Sequence, residues 1–195
     1  LRKAYEKADL KTDPDYAEFL KEEKDWLQDY CLFMAIKNDQ KGICWIDWPE
    51  ELKDRHSKAV KEAEKELAEE IEFYRFQQYC FTTQWRKLKA YANKKDISII
   101  GDVPIYVALD SSDAWANPEM LQFDEDYNPK AVAGCPPDAF SATGQLWGNP
   151  LYDWKALKKD GYGWWVQRMT HCLELYDVVR ICLLYTSPSP RDAHE

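Results

Sequence analysis

An excess of basic residues is missing from this chain: 26 Lys and Arg stand against 35 Asp and Glu, for a formal net charge of −9. Binding to a phosphate backbone wants a basic stripe, so nucleic acid is a poor partner. An anionic membrane surface is excluded on the same ground. No apolar run approaches the roughly 20 residues that a membrane helix needs. Patterned cysteine is missing too. Cys31, Cys44, Cys80, Cys135, Cys172 and Cys182 are scattered, with no Cys-x-x-Cys pair, and His56, His171 and His194 do not cluster with them. A metal centre or a disulfide framework would need tighter spacing, so the thiols read as reduced and mostly buried, in a cytoplasmic setting. There is no glycine-rich phosphate cradle; Gly144-Gln-Leu-Trp-Gly148 lacks the Lys and the spacing of one. No Gly-x-Ser-x-Gly elbow occurs either. The first residues, Leu1-Arg-Lys-Ala-Tyr-Glu-Lys, carry neither an initiator Met nor a signal-type apolar stretch, and read as a start in mid-sequence.

Aromatic residues are plentiful: 14%, including nine Trp and twelve Tyr. Flat indole and phenol faces serve cores first, and sugar-binding surfaces second. With 45% hydrophobic and 31% charged residues over 195 positions, the chain can bury a sizeable core.

The first half reads as helical. Asp13-Pro14-Asp15 is a helix start, and the apolar spacing from Tyr16 to Ile36 predicts one helix. A long helix is predicted from about Ser57 to about Asn93, with Leu67, Ile71, Tyr74, Phe81, Trp85 and Leu88 on one buried stripe. The period changes at Asp96. Ile97-Ser-Ile-Ile100 reads as a short buried strand ending just before Asp102. Residues 108–153 show no clear period. Their Asn-Pro steps at Asn117, Asn128 and Asn149 read as turns, the last making Asn149 and Pro150 structural. A loop this long in a compact domain is usually functional. Asp153 caps the next element, Tyr162 to Tyr176 reads as a helix with Trp165, Met169, Leu173 and Tyr176 on one side, and Val178-Val-Arg-Ile181 reads as a strand. Helix, strand, long loop, helix and strand make an α/β chain with one βαβ unit.

In such units the working residues stand at the C-terminal ends of strands and on the loops attached there. That rule points to Asp102, to the segment holding Asp110, Asp113, Trp115, Asp138 and Trp147, and to the positions just past Ile181. Carboxylates and amides for hydroxyls, with indoles for apolar ring faces, suit a neutral polyhydroxyl ligand.

Several stretches carry a closer likeness. Ile99-Ile-Gly-Asp-Val-Pro-Ile-Tyr-Val-Ala108, Asp113-Ala-Trp-Ala-Asn-Pro118, the run from Val132 to Trp154 and Val178-Val-Arg-Ile181 resemble the 4-alpha-glucanotransferases, or amylomaltases, of glycoside hydrolase family 77 in the alpha-amylase clan. The first half is less similar, although Glu70-Ile-Glu-Phe-Tyr-Arg-Phe-Gln-Gln-Tyr79 still fits. The resemblance implies part of a TIM (β/α)8 barrel, about two barrel strands, with a large helical insertion. It implies transfer of α-1,4-glucan segments between maltooligosaccharides by a retaining double displacement, without metal or organic cofactor. That mechanism needs a nucleophilic Asp and an acid/base Glu with carboxyls about 5–5.5 Å apart.

By the same resemblance Asp102 hydrogen-bonds substrate, Trp147 lines the sugar subsites, and Asp138 and Gln145 lie on the substrate-facing loop. Arg180 stands beside the nucleophile and keeps it ionised. The blander alternatives are a turn-capping acid at Asp102, a core indole at Trp147 and a surface cation at Arg180. The family motif continues Arg-Ile-Asp-His-Phe-Arg, whereas here Arg180-Ile181 is followed by Cys182-Leu-Leu-Tyr-Thr-Ser. Cys182 occupies the nucleophile position, and every later residue departs as well, in the manner of a frameshift or read-through. The expected organisation is therefore a mainly helical part at 1–95, a strand–loop–helix–strand part at 96–181 and a non-native tail at 182–195. The resulting expectation is a piece of a glucanotransferase that is inactive by itself. Two other readings stand beside it: a non-catalytic carbohydrate-binding protein, and a helical interaction module built around residues 57–93.

Overall fold

The computed structural model describes residues 1–137, 139 and 141–182. Asp138 and the tail from position 183 onward lie outside the described residues. The elements run α1 (Arg2–Tyr5), α2 (Pro14–Glu22), α3 (Lys24–Asp39), α4 (Glu50–Lys53), α5 (Lys58–Glu66), α6 (Ala68–Asn93), β1 (Ile100–Pro104), α7 (Ser112–Ala116), β2 (Val132–Cys135), β3 (Gln145–Pro150), α8 (Trp154–Lys159), α9 (Gly163–Leu175) and β4 (Val178–Cys182). They fall into two compact units. One takes Leu1–Leu88 with Asp110–Ala116; the other takes Lys89–Leu109 and the chain from Asn117 on.

The first unit is helical. Asp13 accepts from the backbone N–H of Asp15 and Tyr16, which starts α2 as the sequence predicts. The helix predicted over 16–36 is two helices, because Glu23 leaves helical geometry at φ −95° and ψ 9°. Its carboxylate is nearly buried and accepts from Trp26 Nε1 at 2.7 Å. The helix predicted over 57–93 also breaks, at Leu67, into α5 and α6. The predicted stripe on α6 is only partly buried: Ile71 packs inside with Phe76 and Thr82, while Phe81 and Leu88 are more than half exposed. Trp115 of α7 is fully buried in this unit. Its ring meets Phe33 and Trp48, and its Nε1 donates to Leu52 O at 3.0 Å. That indole belongs to a core and not to a ligand surface.

The second unit is α/β. β1 and β4 pair in parallel with the register Ile100↔Val178, Gly101↔Val179, Asp102↔Arg180, Val103↔Ile181 and Pro104↔Cys182. β1 alternates strictly, with Gly101 and Val103 buried and Ile100, Asp102 and Pro104 exposed. A Cβ at Gly101 would come within 2.1 Å of the Tyr176 ring just after α9, so only glycine lets that ring lie on the sheet. Asp177 ties the N-terminal ends together: it accepts from Ile99 N at 2.8 Å and Asn93 Nδ2 at 2.9 Å.

The segment 108–153, predicted to be irregular, contains an antiparallel pair. β2 and β3 match Gly134 to Leu146 and Cys135 to Gln145, then shift register to reach Val132↔Pro150. Gly148 sits inside that irregularity at φ +77°. The Asn149-Pro150 step is consequently strand, not turn. Pro150 is buried, and Asn149 Nδ2 donates to Val107 O at 2.8 Å.

Candidate functional site

The sequence predicts Asp102 just beyond its strand; it lies in the middle of β1, because pairing with β4 continues through Gly101 and Asp102 to Pro104. The parallel register sets Arg180 directly opposite. Arg180 Nε donates to Asp102 Oδ1 at 2.5 Å and Nη2 donates to Oδ2, a two-pronged fork. The Asp102 side chain keeps 48% of its surface exposed and that of Arg180 keeps 68%. An ion pair this wet adds little to the stability of the sheet. The guanidinium fork holds the Asp102 carboxyl below the usual aspartate range, and the Arg180 guanidinium is correspondingly raised.

Cys182 ends β4 on the same face as Arg180, two residues on and opposite Pro104. This face carries Ile100, Asp102, Val178 and Arg180, while the other face holds Gly101 beneath Tyr176. A side chain at position 182 therefore projects beside the Asp102–Arg180 fork.

Gln145 and Trp147 form a second pair. Both stand on β3, and Trp147 Nε1 donates to Gln145 Oε1 at 3.0 Å. The Trp147 ring meets Tyr106 at a centroid distance of 6.4 Å, four residues along the chain from Asp102. The structure thus brings Asp102 to Arg180 and Gln145 to Trp147, and Tyr106 links the second pair to the segment that leaves β1.

Three side chains not expected at the site hold that segment. Tyr152, fully buried, donates its hydroxyl to Ile105 O at 2.8 Å. Asn149 holds Val107 O, and Arg168 on α9 donates to Pro104 O at 2.7 Å. Carbonyls leaving a strand end need donors, and this need is the signal that could have found them. Among the described residues, neither unit by itself gathers three His, Cys, Asp or Glu ligand atoms around one point. No described helix is long and apolar enough to cross a membrane.

Known proteins resemble this chain closely. The family described as 4-alpha-glucanotransferase (glycoside hydrolase 77) matches residues 1–182. A 4-alpha-glucanotransferase of Clostridium butyricum is 50% identical over 182 residues, 93% of this chain and 37% of its own length. That of Thermus thermophilus is 48% identical over 176 residues, 90% of this chain and 35% of its own. The chain spans about a third of the length of the curated relatives it matches. Among solved structures, an amylomaltase from Streptococcus agalactiae in complex with acarbose superposes with a TM-score of 0.81 at 41% identity, covering 86% of this chain and 34% of that one. An amylomaltase from Corynebacterium glutamicum gives 0.64 at 20% identity, covering 86% and 21%, which speaks for the fold alone.

Proposed function

This chain belongs to the 4-alpha-glucanotransferase family, and from that premise we propose that it forms part of the glucan-binding face of such an enzyme. The whole enzyme would move α-1,4-glucan segments between maltooligosaccharides. On this reading β1 and β4 are adjacent staves of a TIM (β/α)8 barrel. Helices clothe the outside of such a barrel and side chains fill its interior. The face of Gly101, lying under Tyr176, is then the outward one. The opposite face, with Asp102, Arg180 and Cys182, turns inward, toward substrate.

The observation that carries the reading is the Asp102–Arg180 fork on that open face. Asp102 accepts from sugar hydroxyls, while Trp147 offers an indole to the apolar face of a glucose ring. Gln145 steadies the indole from its edge. Asp138, outside the described residues, is assigned to the same substrate loop. In a retaining transfer, a carboxylate attacks the anomeric carbon while a second carboxyl protonates the leaving oxygen. An acceptor hydroxyl, losing its proton to that second, now ionised carboxyl, then displaces the enzyme's carboxylate, which restores the original configuration. The fixed charge of Arg180 would keep an acid at position 182 ionised and nucleophilic. Cys182 occupies that position, so this chain by itself is predicted to be inactive. The same feature favours a second reading, a carbohydrate binder that keeps Asp102 and Trp147 without turnover.

A chimera separates them. Residues 1–182 replace the matching third of the Clostridium butyricum relative, once as they stand and once with Cys182→Asp. The Asp form is expected to convert maltotriose to glucose and longer glucans. The Cys form should be slower by a factor on the order of 10⁴ or more, the scale of losing a nucleophile. Equal turnover by both forms, or none from the Asp form, would sink the transferase assignment.

A further inference from the structure

The segment that leaves β1 is held from behind by a guanidinium. Arg168 donates from Nη2 to Pro104 O at 2.7 Å, from Nη1 to the Tyr152 hydroxyl oxygen at 3.3 Å, and more weakly from Nη1 to Ile105 O at 3.5 Å. Its charge lies 5.2 Å from the ring centroid of Trp164 and 5.4 Å from that of Trp165, within cation–π range of both. The Tyr152 hydroxyl gives its single hydrogen to Ile105 O at 2.8 Å and so accepts from Arg168. The phenol ring of Tyr152 is stacked on Tyr106, at 6.2 Å and 17°, and Tyr106 in turn meets Trp147 at 6.4 Å. One cation thereby fixes two backbone carbonyls and the aromatic row that ends at Trp147.

We infer that Arg168 is a positioning residue for the Trp147 sugar platform, acting through Tyr152 and Tyr106 without touching the sugar itself. Sugar stacking depends on the plane and height of the indole, and an unsupported aromatic on a bulged strand would sample several. The chemistry calls for arginine specifically. A planar fork can reach two carbonyls and a phenol while lying against indole faces, whereas a lysine ammonium is a single hydrated point charge. The ligand in this inference rests on the proposed glucan-binding face; the coupling between Arg168 and Trp147 does not.

The test uses the 195-residue chain labelled with 5-fluorotryptophan, with the Trp147 resonance assigned through Trp147→Phe. Arg168→Met and Arg168→Lys are compared with Lys158→Met, an exposed change on α8. In the absence of sugar, Arg168→Met is expected to move the Trp147 fluorine resonance, Arg168→Lys to move it less, and Lys158→Met to leave it in place. With maltoheptaose, Arg168→Met should weaken affinity by about tenfold or more, the scale on which slight misplacement of a binding group is felt. A merely structural arginine would lower the unfolding temperature and leave the Trp147 resonance of the folded protein unmoved, and that outcome overturns the inference. So does a shift of equal size in Lys158→Met. If Arg168→Met fails to fold, Tyr152→Phe keeps the ring stack, removes the hydroxyl and is read in the same way. A wild-type chain that ignores maltoheptaose would count against the glucan face, and the sugar-free resonance would still decide the coupling.

Discussion

Asp102 and Arg180 meet because the parallel register places them opposite each other, 78 residues apart in sequence. Each is a surface group on its own strand. Together they form an ion pair on the exposed face of the two strands, and the proposed sugar contact rests on it. The fork keeps Asp102 charged to lower pH than an ordinary aspartate. Following its carboxyl carbon by ¹³C NMR should give a midpoint below the free value, and Arg180→Ala should raise that midpoint into the ordinary range. An unchanged midpoint would mean that the fork does not persist in solution. The thiols differ by environment in the same way. Burial pushes Cys31 up to about 12, and its side chain is fully enclosed. It should resist a thiol reagent at neutral pH until the protein unfolds, while the partly exposed Cys182 reacts before it; labelling and then peptide mass mapping would show the order. Motif resemblance singled out Asp102, Arg180, Gln145 and Trp147, and the strand rule added its weight at Asp102, but the pairing of Asp102 with Arg180 depends on strand register, which local pattern does not carry. Trp115 was misread because an indole in a polar, turn-rich stretch looks the same whether it faces ligand or core.

Among the elements, the long helices were visible from apolar spacing, but two breaks were not. Glu23 and Leu67 each turn the chain with one residue near φ −95°. A single such residue hardly disturbs an i, i+3, i+4 count, so the pattern runs straight through. The α6 stripe failed for a related reason. Periodicity identifies a face, but not whether a partner covers it, and Phe81 and Leu88 remain open. The β2–β3 pair was hidden because its strands are short and one is bulged at Gly148. β1 was placed too early: the apolar run Ile97–Ile100 shares only Ile100 with the observed strand Ile100–Pro104. In the sheet Gly101 makes room for Tyr176, and Pro104 ends the strand. Gly101→Ala should therefore push Tyr176 off the sheet and cost about 1–3 kcal/mol, as overpacking does. Urea unfolding of the variant would measure this, and Gly101→Ala combined with Tyr176→Ala should recover part of the loss.

The chain comprises a helical unit and an α/β unit, and the second carries Asp102, Gln145, Trp147 and Arg180. Its lower end is fastened by Asp177, whose carboxyl is held below the usual range first by Ile99 N and then by Asn93, with Lys89 nearby. Asp177 and Asp102 are both lowered in the folded protein. Their stabilisation is thus complete above the unfolded carboxylate value, near pH ~4, and is lost as pH falls through the folded values below it. Thermal unfolding tracked downward from about pH 6 into the acid range should show a falling midpoint, with a shallower slope in Asp177→Ala. A slope unchanged by that substitution would mean that the tie carries no weight. Glucan contact at the fork is read most directly by a maltoheptaose titration of the chain by ¹H–¹⁵N NMR, observing the Arg180 Nε–H and the Trp147 indole N–H. Both signals should shift together, and Asp102→Ala should abolish both shifts. Shifts confined to other residues, or identical shifts in the Asp102→Ala variant, would contradict it.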